Sequence, residues 1–189
     1  MNLSQTQILE IPPGAQYWRI QLLKRRRSST GRNGLKVAPP GRTGRFSLAE
    51  VPCAYLADSP LTSLYESRFR RESRSCSLRA LAAREMVAVE TKHPLRLAAL
   101  RGAEETYTFL HSASYELSQR LADDFRAAGL DGVLYGSAQH PGHACLCVFE
   151  PAFASLSCVA AAPLVHRESG ALLEVVATAA ERSGVPIVA

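Results

Sequence analysis

Four polar side chains stand at positions where a simple folded domain would not need them. Arg19 lies inside a predicted strand, and Arg45 ends a basic loop just before a predicted buried strand. Glu66 flanks the apolar stripe of a predicted helix, and Ser137 lies in the turn after a short strand. Taken singly, each has an ordinary explanation: an edge-strand charge, a solvated loop residue, a helix-surface acid and a turn hydroxyl. If the four meet, the guanidinium groups can bind an anion and the carboxylate can stabilise positive charge.

A second group, His140, His143, Cys145 and Cys147, consists of residue types that bind zinc. The two cysteines alternate with apolar residues in a predicted strand, and His140 begins a His-Pro-Gly turn. Because free cysteines are often small buried apolar residues, we expect no metal here and keep zinc as the alternative. The five cysteines include no Cys-x-x-Cys pair, which indicates reduced thiols in a cytosol.

The elements that must position these residues alternate along the chain. Apolar alternation predicts strands over residues 17–23, 53–57, 82–90, 133–135 and 144–149. Helices are predicted from Pro60, capped by Ser59, and over residues 114–128 and about 168–182, the last of them stopped by Gly184. This alternation predicts α/β or α+β layers around one core.

Length and composition fit one globular domain. The chain has 189 residues, of which 47% are hydrophobic and 21% charged, which excludes a wholly disordered chain. It has no apolar run of the ~20 residues that a membrane span needs and no signal-peptide pattern, so we expect a cytoplasmic protein. Residues 1–46 carry nine Lys or Arg against one acid, Glu10, and most of this charge lies in a loop predicted over residues 24–47. Such a basic arm attracts anions generally.

Four segments, in chain order, resemble the RES domain family. They are YWRI at residues 17–20, GRF at 44–46, YLADSP at 55–60 followed by LYE at 64–66, and GLDGVLYGSA at 129–138. The resemblance covers roughly residues 16–150. It implies an α+β fold like that of the ADP-ribosylating toxins, with central β-sheets flanked by helices, and an enzyme that attacks NAD⁺ at its nicotinamide–ribose bond.

The resemblance also divides the chain. Residues 1–15 are expected to form a loose lead-in, and residues 16–150 a RES-like catalytic domain that contains the basic loop. Residues 151–189 lie outside the pattern and are expected to form an Ala-rich helical extension packed on that domain. Many family members follow the Ser with a small residue and an Arg, whereas this chain has Ala138 and Gln139.

Carried over by position, the resemblance implies a role for five residues. Arg19 and Arg45 would bind the pyrophosphate of NAD⁺, and Tyr55 would stack on or enclose the nicotinamide. Glu66 would stabilise the ribose cation, while Ser137 would hold the nicotinamide amide or position the acceptor. Arg19, Glu66 and Ser137 form the expected catalytic set. Ser137 is not expected to be a covalent nucleophile, because no His–acid pair in the sequence is placed to activate it.

Three functions stay open at this point. The first is NAD⁺ phosphorolysis or hydrolysis by a growth-arresting bacterial toxin, with NAD⁺ as the substrate and no metal. The second keeps the site but transfers ADP-ribose to a protein or nucleic acid. The third is a non-catalytic module whose basic arm docks on nucleic acid. The resemblance implies NAD⁺ and an Xre-like helix-turn-helix antitoxin as partners, with inorganic phosphate as one alternative acceptor. The C-terminal helix could dock the antitoxin or a second copy of the chain, and no membrane partner is expected.

Overall fold

The described part of the protein contains one large sheet, a separate pair of short strands and four helices. In a computed structural model, the described residues are 6–23, 33–37, 39–103, 110 and 114–189. The strands are β1 (Ile8–Ile11), β2 (Gln16–Leu22), β3 (Cys53–Ala57), β4 (Cys76–Ser77), β5 (Arg84–Thr91), β6 (Leu95–Ala99), β7 (Gly132–Gly136), β8 (Ala144–Phe149), β9 (Leu156–Pro163) and β10 (Ile187–Val188). The helices are α1 (Pro60–Ser67), α2 (Leu78–Ala82), α3 (Glu116–Ala127) and α4 (Glu174–Ser183), and a short 3-10 turn covers Ala152–Ser155.

The main sheet is mixed but largely antiparallel. Its strand order is β1-β6-β7-β8-β3-β2-β5-β9, and β4 pairs separately with β10. Within the main sheet, β6 and β7 run parallel, because α3 provides the crossover between them. The prediction of an α+β fold is confirmed by this arrangement.

The elements around β3 and α1 form where the sequence predicts them. β3 and β8 match their predicted bounds, and every residue of β8 is buried. α1 begins at Pro60, whose missing N–H is not needed in a first turn, and the Ser59 hydroxyl accepts the Thr62 N–H at 3.1 Å. Leu64 is fully buried and fixes the inward face of this helix. The predicted cap of α1 is therefore confirmed.

Both ends of the chain contribute strands that the sequence did not predict. β1 lies within the supposed lead-in and pairs with β6, with Ile11 buried. β9 follows residue 150 and pairs along β5, so the C-terminal segment is not helical throughout. Alanine has little preference for strands, and it is the pairing with β5 that holds this Ala-rich segment extended. The last helix, α4, starts at Glu174, later than predicted, and ends at the predicted stop, Gly184, whose φ is 68°.

The helices cover different parts of the sheet. α1 packs on β2 and β3 and against α4, while α3 packs on β7. The apolar centre of the α1 side includes Leu64 and Val176, and that of the α3 side includes Leu121 and Phe125. No helix in the described ranges is both long and apolar enough to cross a bilayer.

The predicted basic loop is described only in part. Residues 24–32 and 38, which carry most of its charge, lie outside the described residues. Its described part contains no helix or strand, but Leu35 and Val37 are buried in the core. The buried Gln21 side chain holds this segment: its amide donates to the Gly34 carbonyl at 3.1 Å and accepts the Lys36 N–H at 2.9 Å.

Candidate functional site

A cleft of about 350 Å³ opens where α1, β2, β3 and the loop before β3 meet. Its walls include four of the five residues singled out in the sequence: Arg19, Arg45, Tyr55 and Glu66. The fifth, Ser137, is joined to this group by a hydrogen bond to Glu66. A volume of this size lies within the range of small-molecule sites.

Glu66 lies on the last turn of α1 and is held by the turn after β7. Its Oε1 accepts the Ser137 hydroxyl at 2.5 Å and the Gln139 backbone N–H at 3.2 Å. Ser137 Oγ in turn accepts the His140 backbone N–H at 2.9 Å. Hydrogen bonds to an ionised carboxylate are about twice as strong as neutral ones, so this turn orients the Glu66 side chain.

Arg19 projects from the middle of β2 and is held by carbonyl groups. Its Nη1 donates to the Tyr55 carbonyl and its Nη2 to the Lys36 carbonyl, both at 3.3 Å. Its buried Nε has no hydrogen-bond partner among the described residues. Desolvation by burial lowers the pKa of Arg19, yet an arginine keeps its charge in proteins.

Lys36 secures the segment that supplies one of these carbonyls. Its ammonium lies 2.6 Å from Glu85 Oε1 on β5 and donates to the Leu23 carbonyl at 2.9 Å. The position of Arg19 therefore depends on contacts made by the basic loop as well as on its own strand.

Tyr55 anchors the segment that carries Arg45. The Tyr55 hydroxyl accepts the Phe46 N–H at 3.0 Å and lies 3.0 Å from Ser47 Oγ. A Cβ on Gly44 would lie only 2.5 Å from this hydroxyl, so the glycine of the Gly-Arg-Phe segment makes room for Tyr55. Burial raises the pKa of Tyr55 well above its ordinary value, which keeps the hydroxyl protonated.

The guanidinium of Arg45 makes two contacts. Its Nη1 donates to the Leu110 carbonyl, and its guanidinium carbon lies 5.1 Å from the centre of the Tyr115 ring. The distance is that of a cation–π contact. Arg45 therefore forms one wall of the cleft with part of its charge already engaged.

A second cavity of about 470 Å³ adjoins the cleft. It shares Arg45, Tyr135 and Ala138 with the cleft, and Ser137 and Arg101 also line it. Arg101 Nη2 donates to the Gly142 carbonyl at 2.6 Å. Ser137 thus lies between the two cavities, with its hydroxyl hydrogen directed at Glu66.

A His–acid pair that the sequence did not reveal joins the turn after β7 to the residue that follows β3. His143 Nδ1 is 3.1 Å from Asp58 Oδ1, and the His143 ring stacks on His140 with centroids 3.8 Å apart. His140 Nδ1 lies 2.8 Å from the Thr62 hydroxyl on α1. Burial lowers the pKa of His140, and the neighbouring His143 lowers it further. The Ser137 hydroxyl donates to Glu66 and not to an imidazole. That Ser137 is not a covalent nucleophile stays a prediction.

Other residues in the cleft wall were not singled out from the sequence. They include three aromatic residues and an arginine: Trp18, Tyr115, Tyr135 and Arg70. Trp18 and Tyr135 each lie within one of the four segments that resemble the RES domain family. Their positions beside Arg19 and Ser137 in those segments could have identified them from the sequence. Arg70 follows α1 and Tyr115 precedes α3, and no local pattern connects either to a site.

The His and Cys residues considered for zinc do not assemble into a ligand set. Across the described ranges, no three His, Cys, Asp or Glu side chains form a group that could hold a metal ion. The Cys147 thiol donates to the Phe46 carbonyl at 3.5 Å, and burial raises its pKa well above the ordinary value.

The chain matches known proteins at the level of family and fold. The family model of the RES domain matches residues 16–169, which extends past residue 150 and takes in β9. A chain in the crystal structure of the M. tuberculosis MbcT–MbcA toxin–antitoxin complex superimposes with a TM-score of 0.60 at 18% identity, covering 82% of this chain and 86% of that one. A search of curated proteins found no match. The predicted α+β fold of a RES domain is confirmed by these matches, and the chain belongs to the RES domain family.

Proposed function

We propose that this protein is an enzyme that cleaves the nicotinamide–ribose bond of NAD⁺ and acts as the toxin of a toxin–antitoxin pair. The observation that carries the proposal is the cleft itself. Four separate chain segments bring Arg19, Arg45, Tyr55 and Glu66 to its walls, with Ser137 bonded to Glu66.

The charges of the cleft suit a dinucleotide. NAD⁺ carries an anionic pyrophosphate, and Arg19 and Arg45 offer guanidinium groups that can bind it in pairs of hydrogen bonds. Both side chains are partly buried, where such bonds are stronger than in water. Tyr55 presents its ring to the cleft, while its hydroxyl is used in holding the Arg45 segment.

Glu66 supplies the negative charge that the reaction needs. When the C1′–N bond breaks, its electron pair passes to the positively charged nicotinamide ring, so no acid has to protonate the leaving group. Positive charge develops on the ribose, as in glycoside cleavage. A fixed carboxylate beside that charge stabilises the transition state by roughly 3–4 kcal/mol, and the Ser137 and Gln139 donors keep this carboxylate in place.

An antitoxin is the partner that we propose. A solved chain that superimposes on this one belongs to a toxin–antitoxin complex. We propose an Xre-like helix-turn-helix protein that keeps this enzyme inactive. Expression of the chain alone should then arrest growth, and co-expression of its antitoxin should relieve the arrest.

The test of the activity is incubation of the purified protein with NAD⁺, with and without inorganic phosphate. Free nicotinamide with ADP-ribose would indicate hydrolysis, and ADP-ribose 1″-phosphate would indicate phosphorolysis. Labelled macromolecule would indicate ADP-ribosyl transfer from the same site. Absence of nicotinamide release under all these conditions would overturn the proposal.

Glu66→Gln tests the central residue. The substitution keeps the shape of the side chain and removes its charge, so NAD⁺ turnover should fall at least about 100-fold. Circular dichroism should show an unchanged fold. Glu10→Gln, at an exposed position on β1, is the matched control and should keep full turnover. Equal turnover in the wild type and the Glu66 variant would remove Glu66 from the reaction.

A further inference from the structure

Arg70 is a third arginine in the wall of the cleft. It lies beyond the end of α1, and its side chain lines the cleft beside Glu66 and Ser67. About two-fifths of the side chain is exposed, at 43%. Arg70 therefore combines contact with the cleft and access from solvent.

The terminal nitrogens of Arg70 are less engaged than those of the other two cleft arginines. Both terminal nitrogens of Arg19 donate to carbonyls, and Arg45 donates to one carbonyl and stacks on Tyr115. Arg70 Nε lies 2.8 Å from Glu72 Oε1 in an ion pair, but this buried Nε makes no aligned hydrogen bond within the described ranges. Its two terminal nitrogens likewise have no partner there. The ion pair with Glu72 therefore engages the Nε edge of the guanidinium and leaves the two terminal nitrogens available to a ligand.

The position of Arg70 is connected to that of Glu66 by Gln139. The Gln139 backbone N–H donates to Glu66, while its side chain accepts the Arg71 N–H at 2.8 Å and donates to Glu72 at 3.3 Å. Glu72 in turn pairs with Arg70. The turn that contains Gln139 thus holds both the Glu66 carboxylate and the segment that carries Arg70.

The charges lining the cleft favour a doubly charged anion. Arg19, Arg45 and Arg70 oppose the single acid Glu66, so the lining residues carry a net charge of +2. We infer that Arg70 is a third residue that binds the pyrophosphate of the dinucleotide, beside Arg19 and Arg45, through the paired N–H···O bonds that its two terminal nitrogens can make. This inference rests on the proposed function, and it names the residue that receives the substrate's diphosphate without giving up existing hydrogen bonds.

Steady-state kinetics on Arg70→Ala provide the first test. A phosphate contact exists in both the ground state and the transition state, so KM for NAD⁺ should rise about 10- to 100-fold while kcat stays within about 3-fold. Arg70→Lys should give an intermediate KM, since an ammonium is a point charge and not a fork. Arg71→Ala is the matched control: Arg71 is exposed, does not line the cleft and keeps its backbone bond to Gln139.

Calorimetric binding of ADP-ribose provides a readout that needs no turnover. ADP-ribose keeps the pyrophosphate and lacks nicotinamide, so its affinity should fall about 10- to 100-fold in the Arg70→Ala protein and hold in the Arg71→Ala protein. Arg70→Gln, closer in length to arginine, replaces the alanine variant if that protein does not fold.

The outcomes separate this inference from the proposed function. An unchanged KM and unchanged ADP-ribose affinity in the Arg70 variants, with NAD⁺ still cleaved, would overturn the role of Arg70 alone. Equal losses in the Arg70 and Arg71 variants would also overturn it, because they would reflect general surface charge. A wild-type protein that binds ADP-ribose through Arg70 and releases no nicotinamide would support the diphosphate site and overturn the proposed reaction.

Discussion

The Ser137 hydroxyl makes two hydrogen bonds, one as a donor and one as an acceptor. It donates to Glu66 Oε1 at 2.5 Å and accepts the His140 N–H at 2.9 Å. A hydroxyl has a single hydrogen, and this one is used on Glu66. We therefore regard Ser137 as a positioning residue for the carboxylate, and its side chain is itself buried.

Ser137→Ala should lower kcat for NAD⁺ about 10- to 100-fold with a smaller change in KM. The reason is the loss of one hydrogen bond to a charged group, worth roughly 1.5–3 kcal/mol. Steady-state kinetics separate kcat from KM, and a purely structural effect would instead lower thermal stability and leave kcat per folded molecule unchanged. Ser75→Ala, at an exposed position, is the control and should retain both constants. Full kcat in the Ser137 variant would contradict the positioning role.

At the scale of elements, the site depends on the register of three adjacent strands. β7 ends at Gly136, directly before Ser137, and pairs with β8 from Gly132↔Val148 to Gly136↔Ala144. β8 pairs with β3, where Tyr55 lies opposite Cys147. A slip of one residue between strands would turn every side chain to the other face, so this register sets Ser137 and Tyr55 at fixed places.

Gly132→Ala tests the close approach of β7 and β8. A Cβ at residue 132 would lie 2.2 Å from the Cys147 carbonyl oxygen, and a backbone atom cannot move away without breaking the ladder. The free energy of unfolding should fall by about 4 kcal/mol or more, or the protein should fail to fold. Urea denaturation measures the loss.

Gly142→Ala is the comparison for this substitution. A Cβ at Gly142 meets no atom within 4 Å, but its φ of 85° is unfavourable for alanine. Its cost should be only about 1–2 kcal/mol. If both variants lost the same stability, steric contact with β8 would not be the reason that residue 132 is glycine.

At the scale of the whole molecule, the core holds several ionisable groups in their neutral form. Burial raises the pKa of three tyrosines and four cysteines: Tyr17, Tyr55, Tyr135, Cys76, Cys145, Cys147 and Cys158. Cys53 is the exception, since its side-chain hydrogen bond with Cys147 lowers its pKa. The native state therefore keeps protons that the unfolded chain releases at high pH.

The protein should lose stability as the solution becomes alkaline. The unfolded chain loses its thiol protons near pH ~8.5 and its phenol protons near pH ~10, while the native state retains them, so the free energy of unfolding falls as pH rises through this window. Urea denaturation from about pH 7 to about pH 11 measures the decline. Cys145→Ala removes one of these thiols and should make the decline shallower above pH ~8.5. Stability that stayed constant over the whole range would contradict the assignment.

Local signals in the sequence determined the elements nearest the site. The Ser59-Pro60 pair sets the start of α1, alternation of apolar residues sets β3 and β8, and Gly184 ends α4. Each signal acts within a few residues, through a cap, a turn or a periodic apolar face. The motif order also predicted the RES family, which the family match confirms.

Only the tertiary structure decided which distant residues meet. β1 and β9 take their strand form from pairing with β6 and β5, because neither a four-residue edge strand nor an Ala-rich segment has a strong preference of its own. The Asp58–His143 pair and the approach of Arg70 to the cleft follow from the packing of loops far apart in the chain. Such contacts depend on pairing across the whole sheet, and no local pattern in an amino-acid sequence encodes a pairing partner.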